Sequence, residues 1–182
     1  MIEFIEDIHL YLVDGVITPS VTQILAKHGI GTDYSAIPRD VVKAKAAHGN
    51  AVHASIEKWA MGEYISRTAD PLIDGAVDTA SDILTDKEIE IESCEEVVAY
   101  KNLYAGKYDM FGYISGKTAL FDIKTTASLN KKYLSWQLSM YNLALQNKAE
   151  NLYCLWLPKN KPGKLVEIEP KTEEEIINLL NG

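Results

Sequence analysis

The chain has 182 residues and a mass of 20.3 kDa, with 47% hydrophobic and 24% charged residues. These proportions exclude a disordered, collagen-like or repeat-built chain, and at this length roughly 70% of the unfolded surface can be buried without disulfide staples. Eighteen basic against 26 acidic residues leave a net charge of −8, which argues against an overall basic footprint of the kind nucleic-acid binders carry.

Cys94 and Cys154 are too few for a four-thiolate zinc or iron–sulfur site, and a reduced, intracellular protein is expected. The opening Met1–Asp7 has no basic n-region, so no secretory signal is expected there. No apolar run approaches the ~20 residues of a membrane span. The charge is unevenly spread. Residues 86–96 hold six acids (Asp86, Glu88, Glu90, Glu92, Glu95, Glu96) against Lys87. Residues 101–132 hold six lysines (Lys101, Lys107, Lys117, Lys124, Lys131, Lys132) against Asp109 and Asp122, which makes that window +4.

Tyr11-Leu12-Val13 running into Asp14-Gly15 predicts a strand or hairpin. Pro19-Ser20 before Val21–Leu25 predicts a helix that Gly29 stops. A second helix is predicted over about 40–61, with the apolar stripe Val52, Ile56, Trp59 and Ala60, and a third over 72–85. The period then changes. Residues 88–100, 107–115 and 118–124 carry the alternation and the β-branched and aromatic residues of strands, with Ser115-Gly116-Lys117 as the last turn. Residues 131–147 return to helical period with Leu134, Leu138, Tyr141 and Leu145 on one stripe. Residues 152–157 read as a buried strand with which 165–168 can pair, and Thr172 with Glu175 forms a capping box for a last helix. Cys94, Cys154, Trp59, Trp136 and Trp156 are assigned to the core. The order predicts an α/β layer fold with a central mixed sheet flanked by helices.

Asp122 and Lys124, two apart on a strand, leave the same face. If Ser115-Gly116 is a two-residue loop, Asp109 stands opposite Asp122; a loop one residue later pairs Asp109 with Lys124 instead. Either register gathers three charged groups on one patch of sheet, roughly 5 Å apart at Cβ. Opposed carboxylates are destabilising unless neutralised, and hard oxygen donors favour Mg²⁺ or Mn²⁺ for that purpose. Such a metal acidifies water and stabilises phosphoryl charge; Lys124 beside it suits orienting water or stabilising developing charge. The layout fits metal-assisted phosphodiester hydrolysis, whereas Asp-x-Lys alone reads as a solvated hairpin face. His53 and Glu57 are i, i+4 neighbours beside the second helix's stripe. Gln137 and Tyr141 repeat that spacing, and on spacing alone Gln137 reads as a helix-boundary polar residue.

Taken in order, Gly49-x3-His53-x3-Glu57, Tyr104-Ala105-Gly106-x2-Asp109, Asp122-Ile123-Lys124-Thr125 and Gln137-x3-Tyr141 resemble the PD-(D/E)XK nuclease superfamily, and within it the RecB-like, phage-type exonuclease branch. Gly15–Leu25 is similar to the start of many phage members, and the resemblance covers residues 11–157. It implies a restriction-endonuclease-like αβββαβ core in one domain over 1–182: a strand/helix elaboration over 1–40, the nuclease core over 41–170 and a C-terminal helix over 171–182. It further implies that Asp109 and Asp122 bind Mg²⁺ or Mn²⁺, with the Ile123 carbonyl and His53 as additional ligands, and that Lys124 is the catalytic lysine. Gln137 and Tyr141 would support the site and contact DNA, joined by the basic start of their helix, Lys131 and Lys132. The resemblance also implies an upstream glutamate that helps activate water or bind a second metal, and Glu95 and Glu96 both qualify; Glu96 shares strand parity with Val98 and Tyr100, and Glu95 lies on the other face.

Two cysteines exclude the iron–sulfur cluster of some branches, and no helicase motif or P-loop is present. The implied setting is the cytoplasm of a bacterial host, phage- or prophage-encoded, with DNA as substrate and a homo-oligomer or a phage recombination protein as partner. Direction of digestion, exo or endo action and strand preference stay open. A different reading, prompted by the −8 charge and the mere two arginines, is a catalytically silent nuclease fold that binds DNA or serves assembly. A third, an enzyme acting on a small phosphorylated substrate, lacks a Gly-rich phosphate loop.

Overall fold

The computed structural model describes residues 1–32 and 35–182. The N-terminal segment forms an antiparallel three-stranded sheet of β1 (Ile2–Ile5), β2 (Leu10–Val13) and β3 (Val16–Thr18). Helix α1 (Val21–Lys27) follows, fixed by a reciprocal capping box between Ser20 and Gln23, and Gly29 beyond it takes φ +66°. The long α2 (Arg39–Ala60) and α3 (Pro71–Asp86) come next; Asp70 caps α3 and Pro71 occupies its first turn.

Five strands make the central sheet: β4 (Glu90–Cys94), β7 (Met110–Ile114), β8 (Lys117–Lys124), β9 (Asn151–Trp156) and β10 (Lys164–Glu167), in the order β10-β9-β8-β7-β4. β8 and β9 are parallel and joined through α4 (Lys131–Ala144); the other pairs are antiparallel. The sheet is therefore mixed, as expected. A separate hairpin, β5 (Val97–Tyr100) with β6 (Tyr104–Lys107), is inserted between β4 and β7, and α5 (Glu173–Asn181) closes the chain behind the Thr172–Glu175 capping box.

Alternation along β8 distributes the core. Ala119, Phe121 and Ile123 join Val52, Ile56, Val77 and Ala80 of α2 and α3 in one apolar cluster. On the opposite face Leu120 joins Leu134, Leu138 and Met140 of α4 and Val21 and Leu25 of α1. Asp122 and Lys124 fall on this second face, where period 2 calls for apolar residues. No helix among the described residues is long and apolar enough to cross a membrane.

The departures from expectation have local causes. The strand expected over 88–100 breaks at Glu95, which takes φ +57°, so its second half leaves the main sheet to pair with β6. The strand expected from 107 begins at Met110 because 104–107 belongs to that hairpin. The helix expected to reach 147 ends at Ala144, and Leu145, expected on its stripe, is an extended cap residue. Trp156 and Cys154 are buried, whereas Trp59, Trp136 and Cys94 are only half-buried; Trp136 lies under the Lys171 ammonium, 5.1 Å from the ring centre.

Gly106 carries a steric demand. A Cβ there would enter the Tyr141 ring, so the Tyr141 side chain lies directly on the β6 backbone. Gly106→Ala should therefore displace Tyr141 and destabilise the fold by about 1–3 kcal/mol, the scale of overpacking, read as a lowered Tm in thermal unfolding.

Candidate metal centre

Ser115 and Gly116 both have positive φ, +52° and +76°, the signature of a type I′ two-residue turn. Ile114 therefore faces Lys117 and Met110 faces Phe121. Of the two registers the sequence allows, this is the one that sets Asp109 across from Asp122. Asp109 stands one residue before β7, and its Oδ2 accepts the Ile123 N–H at 2.6 Å. N–H and C=O of one strand residue point to the same edge, so the Ile123 carbonyl faces the edge where Asp109 stands.

From α2, His53 approaches the same carboxylate. Its Nδ1 is 3.4 Å from Asp109 Oδ2 and 4.0 Å from Glu57 Oε1. One ligating atom from each of His53, Glu57 and Asp109 falls within 4.8 Å of the others. The buried Glu57 Oε1 has no hydrogen-bond partner among the described residues. Burial, and then the charges of Glu95 and Asp109, push Glu57 up to about 8. An orphaned oxygen among like charges is what a cation relieves.

Asp122 and Lys124 form a second pair alongside. The ammonium donates to Asp122 Oδ1 at 2.8 Å and lies 2.6 Å from Oδ2. Oδ2 is nonetheless without a well-angled hydrogen bond, so the contact there is charge proximity only. Asp122 is 2% exposed. Burial pushes its carboxyl up to about 6, opposed by Lys124 and reinforced by Asp109. For Lys124 burial acts downward, but the Asp122 and Asp109 charges outweigh it and raise the ammonium.

The two candidate glutamates part company. Left-handed backbone at Glu95 turns its carboxylate toward the site, where it pairs with Lys107 and its charge acts on Glu57. Glu96 instead accepts the Tyr108 hydroxyl at 2.7 Å, in a network with Ser93. Gln137 is not a boundary residue: it is 7% exposed, its amide donates to the Tyr141 hydroxyl at 3.2 Å, and its Oε1 has no partner among the described residues. Lys131 and Lys132 are exposed in the first turn of α4. Cations are unfavourable at that end of a helix dipole, whereas an anion is welcome. A cavity of about 530 Å³ opens beside Lys124, between α1 and the start of α4, lined among others by Thr22, Gly31, Thr126, Ser128 and Asn130.

Glu57 is the residue whose part in the cluster the sequence leaves unassigned, although its i+4 spacing from His53 is visible. Lys107, the ion-pair partner of Glu95, carries no sequence signal beyond its place in the basic window.

No family model matches the chain, and no curated protein does. Among solved structures, a putative exonuclease from Eubacterium rectale is similar at a TM-score of 0.44 and 9% identity, over 87% of this chain and 68% of its own. The protein SSO0001 is similar at a TM-score of 0.38 and 18% identity, over 88% and 81% respectively. Neither likeness is strong enough to bear on function, which rests on the geometry above.

Proposed function

We propose that the chain is a divalent-metal-dependent deoxyribonuclease of PD-(D/E)XK type, an exonuclease serving phage-type recombination or repair. The observation that carries this reading is the meeting of His53, Glu57 and Asp109 within 4.8 Å beside the buried Asp122–Lys124 pair.

The donor set fits Mg²⁺ or Mn²⁺, being rich in hard oxygen with one imidazole. Asp109, Asp122, Glu57, His53 and the Ile123 carbonyl would hold the ion. When bound, it supplies a more acidic water and neutralisation of phosphoryl charge. The protein's own groups do the rest. Lys124, kept charged by Asp122, donates to a non-bridging phosphate oxygen as charge develops there. Glu95, close to Glu57 and paired with Lys107, accepts a proton from the attacking water. Gln137 keeps the Tyr141 ring seated on Gly106, behind the Asp109 strand. Lys131 and Lys132 receive the DNA backbone at the α4 N-terminus.

End-labelled single- and double-stranded DNA incubated with Mg²⁺ or Mn²⁺ tests this. Terminal digestion that EDTA stops is expected; digestion indifferent to EDTA would remove the assigned chemistry. The glutamates give a sharper expectation. Glu95→Gln should slow cleavage by roughly 10²-fold with little change in Tm. Glu96→Gln should keep near-normal cleavage and lower Tm, because the Tyr108 hydroxyl loses a charged acceptor worth ~1–3 kcal/mol.

A further inference from the structure

Beyond Lys124 the sheet carries a row of residues that the metal centre does not use. Trp156 on β9 is the register partner of Lys124 on β8, and Lys164 on β10 is the register partner of Trp156. The three stand side by side, with Lys164 two strand spacings, ~10 Å, from Lys124. Trp156 is 9% exposed, its indole N–H tied to the Thr126 carbonyl at 2.7 Å. It offers no free face for stacking a base and serves as a platform. The ammonium groups of Lys164 and Lys161 lie 5.2 and 5.7 Å from its ring centre, held by cation–π attraction with their stems along the ring.

The β9–β10 loop between them is a fixed support. Leu157 is buried, its N–H donates to the Lys124 carbonyl at 2.7 Å, and Pro158 and Pro162 restrict the turn. A Cβ on Gly163 would lie 2.6 Å from Thr79 of α3 and 2.9 Å from Leu157, so the loop is packed directly against that helix. Lys159, Lys161 and Lys164 are exposed. None of them makes an ion pair among the described residues, and no acid occurs between Asn151 and Val166. In a chain of net charge −8, three ammonium groups next to Lys124 stand without a carboxylate partner among the described residues, and only Lys161 and Lys164 gain from a neighbour, the Trp156 ring.

We infer that Lys161 and Lys164, seated over Trp156, together with Lys159 on the same loop, form a phosphate-tracking surface that grips the backbone of the DNA strand running past Lys124. This rests on the nuclease reading for its direction. The contacts go to phosphates and not to base edges, so the surface adds affinity without sequence preference. It is distinct from Lys131 and Lys132, which sit on α4.

The test is binding of a 5′-labelled oligonucleotide by fluorescence anisotropy in EDTA, where no cleavage occurs, as a function of salt. Three proteins are compared: wild type, the triple variant K159Q/K161Q/K164Q, and K87Q/K117Q/K148Q, which removes the same charge at the other end of the sheet. Each phosphate contact contributes about 0.7 to the salt slope on a single strand. The loop variant should lose about 2 from that slope and bind at least tenfold more weakly near 100 mM salt, and the control should keep the wild-type slope. An unchanged slope in the loop variant, equal losses in both variants, or no binding by wild type overturns the inference. Cleavage is scored separately in Mg²⁺ and Mn²⁺. Wild type that binds but does not cut defeats the nuclease reading and leaves the surface standing, whereas cutting with an unaltered slope in the loop variant defeats the surface alone.

Discussion

Asp122→Asn is expected to slow DNA cleavage by roughly 10²- to 10³-fold in either Mg²⁺ or Mn²⁺, the scale on which loss of one charge-organising group acts in an active site. Asparagine matches the carboxylate in shape, so the 2% exposed pocket stays filled, but it withdraws the negative charge. Two effects follow. The metal loses an anionic donor, and Lys124 loses the partner that raises its ammonium. The Lys124 side chain is 24% exposed, so its charge can reach water. The fold should therefore survive, in contrast to variants that strand a fully buried charge at a cost of ~3–5 kcal/mol. Titration calorimetry with Mn²⁺ separates the two effects. Asp122→Asn should weaken metal binding more than tenfold, whereas Lys124→Gln should cut as poorly and bind Mn²⁺ at least as well as wild type. Full cleavage by Asp122→Asn would exclude this carboxylate from the chemistry.

The Asp109–Asp122–Lys124 hairpin was legible because strand period and turn length decide it with few choices. Ser115-Gly116 admits a type I′ turn, and the register follows from that turn alone. Helices α2, α3 and α5 were legible from stripes and caps for the same reason, since those signals are local. What was not legible depends on backbone that the local pattern does not dictate. Glu95 adopts φ +57° although nothing in Ser93-Cys94-Glu95-Glu96 demands it, and that one residue decides which glutamate faces the centre. Spacing alone puts Gln137 at the helix boundary, where a polar residue beside an apolar stripe ordinarily sits, and only the resemblance points to a supporting role; its burial goes with Tyr141 being drawn against Gly106, a contact made over 35 residues of sequence. Trp59 and Trp136 are only half-buried, Trp136 packing against the core cluster from outside, because size alone does not tell how deep a ring sits.

The −8 charge also takes on a spatial meaning. Several of the acids lie at or beside the centre, in Glu57, Glu95, Asp109 and Asp122, where a divalent cation would offset them. Lysines without an ion-pair partner among the described residues flank that centre on α4 and between β9 and β10. On the proposed reading the ion has to bind before a phosphodiester is held at that point, whereas the lysines engage the rest of the strand without it, which orders the two events at the centre.

That ordering makes the centre sensitive to pH. In the metal-free protein Glu57 titrates near 8 and Asp122 near 6, against ordinary values of 4.5 and 3.8. Both are raised, so the folded chain keeps protons that the unfolded chain has released, and linkage makes stability fall as pH rises, through about 6 for Asp122 and about 8 for Glu57. His48 acts in the opposite sense. Burial, and next the Lys159 charge, lower it from 6.5, so its contribution is lost as pH falls below about 6.5. Comparing wild type with Glu57→Gln removes that term. Glutamine never ionises; Glu57→Gln should be close to wild type in stability at pH 5 and more stable by about 2 kcal/mol at pH 8.5, the raw shift being discounted for partial solvent access. Saturating Mn²⁺ should reverse the order at pH 8.5, because only wild type presents the carboxylate to the ion, and metal affinity should climb up to tenfold per pH unit until Glu57 is ionised. Thermal unfolding from pH 5 to 8.5, with and without Mn²⁺, reads all of this. A stability difference that stays flat across that range would mean that Glu57 is already charged at pH 5 and takes no part in gating the metal.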